Sequence, residues 1–267
     1  MTEVFWFLLP VILMCFLLVS IHCYLGIHVL KRKIIFIDLA LAQVASLGAT
    51  FAMLFHFNPH SIQSFIFSFF FTVIISLYFA GVRRFEKLVP QEFMIAIVYA
   101  FAASSVVLIL SSMPHGSDHI KEVLVGKILW VTKFDLIKSA VIYSVVGILF
   151  YVFREKFWSL SCNEKIERSF FWDFLFYTLF GLVITTSVST AGILLVFSLL
   201  VIPALIGSLF AQNIKGQLLI GFLFGLFFSI IGIVLSYYLD LPAGALLVAI
   251  LTFTALALVP LKLSIKA

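Results

Sequence analysis

The chain has 267 residues, of which 64% are hydrophobic and 11% charged, with a formal net charge of +5 and a mean hydropathy of +1.24. A soluble domain is about 45–50% apolar and about 25% charged, so this composition excludes a soluble enzyme, a disordered chain and a nucleic-acid-binding domain. What remains is an all-α polytopic membrane protein. A crossing helix needs about 20 apolar residues, so eight or nine would consume most of the chain and leave only short loops. Residues 1–267 therefore read as a single transmembrane domain with no room for soluble catalytic machinery.

In chain order, apolar runs cover residues 4–25, 34–55, 62–82, 88–111, 138–153, 170–186, 191–210, 217–238 and 243–261. The first begins MTEVFWFLLP, with no basic segment and no small-residue cleavage site, and reads as a retained span. The stretch 112–137 is mixed; its EVLVGKILWVTKFDL is too charged to cross and suits a short interfacial helix. Cys15 and Cys23 fall in the first run and Cys162 in a polar loop. Their spacing matches no metal or disulfide pattern, so they read as free thiols. Phenylalanine, with 32 residues, reads as lipid-facing filler.

Lysines and arginines set the orientation. With the N-terminus outside and the C-terminus cytoplasmic, 13 of the 17 fall in inner loops and ends, from Lys31, Arg32 and Lys33 through Arg83 and Arg84 to Lys262. Lys121, Lys127, Lys133 and Lys138 stay outside. This is the positive-inside bias of a multi-pass protein in the plasma (inner) membrane. The assignment requires 170–186 and 191–210 to be two passes, turning at SVST, residues 187–190.

Several chemistries are missing. Gly126-Lys127 lacks the glycine and hydroxyl of a phosphate-binding loop, and there is no HExxH or GxSxG. A lipid-modifying enzyme would need a paired acid–base set, and only isolated acids occur. Asp38, Glu92 and Asp173 all lie near the inner ends of their helices. A proton- or sodium-coupled carrier keeps an acid deep in the bilayer. The pattern favours transport driven from outside the chain, with no permanently bound cofactor.

The segment SVSTAGILLVFSLLVIPALIGSLFAQN, residues 187–213, carries the strongest signal. Pro203 is expected to break or kink its helix, followed by a short amphipathic helix reaching Lys215. That end is either a frayed, kinked span or a helix that docks on a partner. Gly221 and Gly225 form GxxxG, which permits close helix approach within or between subunits. Four of the six histidines fall on the predicted outer side: His56 and His60 in HFNPH, and His115 and His119 in HGSDH, with Asp118 between the latter two. They are either a metal-receiving rim or polar loop residues at the lipid headgroups. Pro59 and Gly116 argue against helix at both places.

AGILLVFSLLVIPALIGSLFA resembles the signature of permease subunits of zinc/manganese-type ABC importers, in which a Gly-x-Leu-Leu-Val run leads to Leu-Val-Ile-Pro-Ala. IIFIDLALAQVASLGATFA (34–52), YLDLPAGALLV (238–248) and, more weakly, EVLVGKILWV (122–131) are similar to further family segments, in the expected order. The resemblance implies a fold related to the vitamin B12 permease type. It also implies a homodimer, two ABC ATPase subunits and an extracytoplasmic metal-binding protein. The ATPase-coupling element would be Pro203, Ala204, Leu205, Ile206, Gly207 and Ser208. The transported substrate would be a divalent metal ion, zinc or manganese.

One departure bears on that substrate. Family members carry an Asp-x-x-x-His pair in the second helix, and counting back from Gly48 puts Gln43 at the histidine and Leu39 at the aspartate. Asp38 is one residue off, about 140° round the helix from Gln43. A glutamine amide suits manganese or a harder ion better than zinc. Asp38 and Gln43 are the candidate translocation-pathway residues, with an interhelical hydrogen bond as the other reading of Gln43. A permease for a chelated metal or a vitamin is the alternative function.

Overall fold

The computed structural model describes residues 2–59, 61–86, 88–113, 116–162 and 169–266. Those residues form eleven α-helices: α1 (Thr2–Arg32), α2 (Ile37–Met53), α3 (Ile62–Val82), α4 (Gln91–Ser111), α5 (Gly116–Val125), α6 (Lys133–Val152), α7 (Arg154–Cys162), α8 (Phe170–Ala191), α9 (Ile193–Phe210), α10 (Ile214–Leu239) and α11 (Ala243–Lys266). Eight are long and apolar enough to cross a membrane, all but α2, α5 and α7. The expected all-α, multi-pass architecture is what the chain adopts. It divides into two compact units: Met1–Leu30, Val125–Tyr143 and Thr190–Ala267, and Lys31–Leu124 with Ser144–Ser189.

In the first unit, α1 packs on α9 and α10 through small residues. A side chain at Gly26 would strike the Leu200 carbonyl, and one at Gly221 the Pro203 carbonyl. A Cβ at Gly225 would come within 2.9 Å of Val19 and 3.0 Å of the Pro203 ring. The GxxxG pair is thus spent inside the subunit. Phe7 meets Tyr237, and Phe16 meets Phe222, so α1 runs antiparallel to α10. At one end of α9 and α11, Gly126 and Val125 press against Ala191 and Gly244. At the other end Lys262 lies 4.9 Å over the Phe210 ring. Hence α9, α10 and α11 alternate in direction.

In the second unit, α2 is only 17 residues long, about 25 Å. It is sheathed by its neighbours: thirteen of its residues are buried, against α3 and α4. Gly48 lets α3 approach, since a Cβ there would be 2.6 Å from Ser68 Cα. On α3, Ser64, Ser68, Thr72 and Ser76 repeat every fourth residue along one buried face. Thr72 Oγ1 meets Thr185 Oγ1 of α8 at 3.2 Å, and Phe79 packs on Tyr177, so α3 and α8 are antiparallel.

Four sequence expectations change. SVST is not a turn: it is the last turn of α8, and Gly192, at φ +75°, is the one residue between α8 and α9. Its two serine hydroxyls bond back to the preceding turn, Ser187 donating to the Val183 carbonyl at 2.7 Å and Ser189 to the Thr186 carbonyl at 2.8 Å. Pro203 does not break α9, which continues to Phe210. Cys162 ends helix α7 rather than lying in a loop. Phenylalanine is only partly lipid-facing, because Phe79, Phe150, Phe157, Phe176 and Phe180 are fully buried. A short helix does form within 112–137, as α5, which ends before Gly126 (φ +73°), while Lys133, Phe134, Asp135 and Leu136 of the same stretch begin the long helix α6.

Candidate functional site

Asp38 lies in the first turn of α2, where helix amides favour a negative charge. It is 1% exposed. No described side chain bonds to its carboxylate; the backbone amides of Asp38 and Leu39 face it. Gln43 is also buried. Five positions apart in the sequence, the two side chains leave α2 about 140° apart. They are buried separately, because α2 is covered on nearly every side, and they form no paired site. Gln43, Ser46 and Thr50 instead make a buried polar stripe on one face of α2.

A second polar set was not foreseen. Arg32, at the end of α1, places Nη1 2.9 Å from Asp173 Oδ1 and donates from Nε to Ser161 Oγ at 2.9 Å. Its guanidinium lies 3.7 Å over the Phe176 ring. Arg83, at the end of α3, is 3.5 Å from the same Asp173 oxygen and donates to Tyr177 Oη at 2.6 Å. Tyr177 Oη donates to Gln91 Oε1 at 3.1 Å, and Gln91 Nε2 donates to the Phe79 carbonyl. Glu92 Oε1 accepts from the Ile35 amide at 3.3 Å. The ends of α1 and α3 and the starts of α4 and α8 therefore share one polar layer. In sequence, Arg32 and Arg83 were indistinguishable from the other charges of basic loops. The available signal was an acid in the first turn of an apolar helix.

The residues proposed for coupling fall on α9. Pro203, Ala204, Ile206 and Gly207 are buried, Leu205 is half-buried, and Ser208 is exposed. Pro203 and Gly207 press against α10, at Gly221 and Gln217 respectively. The exposed element is the turn that follows, with Gln212, Asn213, Ile214 and Lys215 all on the surface. It is stiff: Asn213 Oδ1 accepts from the Gly216 amide at 2.7 Å, and Gln217 Nε2 donates to the Ala211 carbonyl at 3.1 Å.

The histidine pairs do not assemble among the described residues. His56 is exposed at φ +62° after α2. Asp118 and His119 lie in the first turn of α5, which does start at Gly116 despite the glycine. His60 and His115 lie outside the described residues. Among the described residues no three His, Cys, Asp or Glu side chains converge as a metal site. The two histidines outside those motifs, His22 and His28, are fully buried in α1. His22 Nδ1 donates to the Leu18 carbonyl at 2.8 Å, and its Nε2 meets no partner among the described residues. A histidine in an apolar span was the signal for it.

This is a multi-pass helical membrane protein with buried charge held at helix ends. Residues 4–262 match the ABC 3 transport family, and the chain belongs to that family. Among curated relatives, the manganese transport system membrane protein MntB of Synechocystis is 29% identical over 201 residues, covering 73% of this chain and 63% of the relative. Manganese transport system membrane protein MntC of Listeria innocua is 27% identical over 170 residues, covering 61% and 60%. The match thus spans about three fifths of the length of these relatives. Among solved structures, PsaBC from Streptococcus pneumoniae in complex with Fab superposes with a TM-score of 0.75 at 19% identity, covering 94% of this chain and 90% of that one. An inward-facing metal-chelate type ABC transporter gives 0.69 at 18% identity, covering 96% and 85%. The permease fold expected from the four motifs is borne out.

Proposed function

We propose that this chain is the permease subunit of an ABC importer that carries a divalent metal ion into the cytoplasm by alternating access. ATP is hydrolysed on separate ATPase chains, an extracytoplasmic binding protein delivers the metal, and two copies of the permease pair. The observation that carries this reading is Asp38: a carboxylate buried at a helix end with no side-chain partner is costly unless something else uses it. The relatives named for manganese transport support the choice of ion, and a carboxylate oxygen such as that of Asp38 suits manganese. Coupling to the ATPase falls to the exposed stretch from Ser208 at the end of α9 through the tight turn to Lys215 at the start of α10, with buried Pro203 and Gly207 transmitting its movement along the α9–α10 pair.

Co-reconstitution with the ATPase and the binding protein tests this. ATP-dependent uptake of manganese into vesicles is expected, and it is lost in Asp38→Asn. ATP hydrolysis indifferent to both metal and binding protein overturns the reading. Gln43 at the family's histidine position favours one further reading, a permease for chelated metal. Uptake of an iron–siderophore complex in place of the free ion decides for it.

A further inference from the structure

The geometry points to a bound anionic phospholipid, one acyl chain lying in a groove between α3 and the start of α8 with its phosphate on Arg84. The groove is about 580 Å³ and is lined by Ile74, Leu77, Tyr78, Gly81, Arg84 and the Phe170 ring. Its floor is Gly81: a Cβ built there meets nothing within 4 Å, unlike most helical glycines of this chain, which press on a neighbour. The walls are apolar and exposed, with Ile74 48% and Leu77 49% accessible. A concave apolar surface of this kind, in a bilayer, accepts a hydrocarbon chain.

The open end of the groove carries charge. Arg84 is exposed, and its guanidinium stacks 4.9 Å over Phe170, which holds it at the mouth. Arg83 next to it turns inward to Asp173 and Tyr177, so Arg84 alone of the pair faces out. Tyr78 adds an amphipathic ring of the sort found at headgroup level. An apolar slot closed by a fixed guanidinium complements a lipid with a net negative phosphate better than a zwitterionic one. Arginine also binds phosphate through a planar fork.

Native mass spectrometry of the purified chain with phosphatidylglycerol or phosphatidylcholine of identical acyl chains tests this. Phosphatidylglycerol is expected to be retained about fivefold more than phosphatidylcholine, the scale of one basic residue at an anionic lipid surface. Arg84→Gln should bring it down to the phosphatidylcholine level. Gly81→Phe should fill the slot and remove the retained lipid while leaving helicity and elution volume unchanged. Arg154→Gln, which alters an exposed arginine elsewhere on the same unit, should retain phosphatidylglycerol as the parent does. Retention unchanged in both Arg84→Gln and Gly81→Phe overturns the proposal. Equal loss in Arg154→Gln also overturns it, since the attraction is then diffuse. Disulfide formation between two Gly81→Cys chains, above that of the parent with its own exposed Cys162, overturns it in favour of a chain–chain interface.

Discussion

Asp173 is the residue that ties the polar end of the second unit together. Two buried guanidiniums, from Arg32 and Arg83, converge on one of its oxygens. Removing one partner of a buried ion pair leaves uncompensated charge and costs about 3–5 kcal/mol. Asp173→Asn is therefore expected to lower the midpoint of thermal unfolding in detergent strongly, and Asp173→Glu to lower it less. Asp38 predicts the opposite balance. Its carboxylate is buried without a side-chain partner, so Asp38→Asn should leave the unfolding midpoint unchanged or raised while transport falls. A variant that loses stability and transport together would mark Asp38 as structural. The sequence placed Asp38, Glu92 and Asp173 near helix ends, and there they stand. It could not pair Asp173 with Arg32, 141 residues away, because no local pattern encodes that meeting.

At the scale of elements, the α9–α10 pair is held by glycine. Gly221 lies against the Pro203 carbonyl and 2.7 Å, measured from an added Cβ, from Cys23 Sγ. Overpacking a close crossing costs about 1–3 kcal/mol, so Gly221→Val should lower the unfolding midpoint. Gly147→Ala is the control: it has open space around it on α6, and alanine in a helix gains roughly 0.5–1 kcal/mol over glycine. Equal midpoints for the two variants would contradict this packing. Apolar runs made the spans legible, yet three helical segments were missed or shifted. SVST carries hydroxyls that bond within their own helix. The α7 segment, REKFWSLSC, is anchored by buried Phe157 and Ser161 rather than by an amphipathic pattern. The start of α5 rests on Gly116 fitting against the Leu110 carbonyl. In each case a polar or glycine signal that usually ends a helix was answered by a hydrogen bond within the helix or by packing.

At the scale of the whole molecule, the question is which helix ends face which side, and the first unit gives the starting point. The turn after α9 lies toward the C-terminal end of α1, because Cys23 approaches Leu218 while Phe7 approaches Tyr237. If basic ends face the cytoplasm, a membrane-impermeant maleimide should label Gln212→Cys and Lys215→Cys from the cytoplasmic face only, in a background lacking exposed Cys162. His56→Cys should label only from outside. Labelling of Gln212→Cys from the exterior would reverse the topology and remove the proposed ATPase contact.

The amino-acid sequence alone determined that the chain lives in a membrane, roughly where it crosses, and which family its motifs resemble. These follow from local quantities: the transfer of short apolar runs out of water, and charges that stop them. Only the tertiary structure decided which face of each helix is buried. On α4, buried Ile95, Val98 and Ala102 alternate with exposed Phe93, Ile97 and Phe101. Lipid tails are as apolar as leucine, so hydropathy does not distinguish core from bilayer. The sharing of Asp173 by two arginines and the use of Gly221 inside the subunit were settled only when distant helices met.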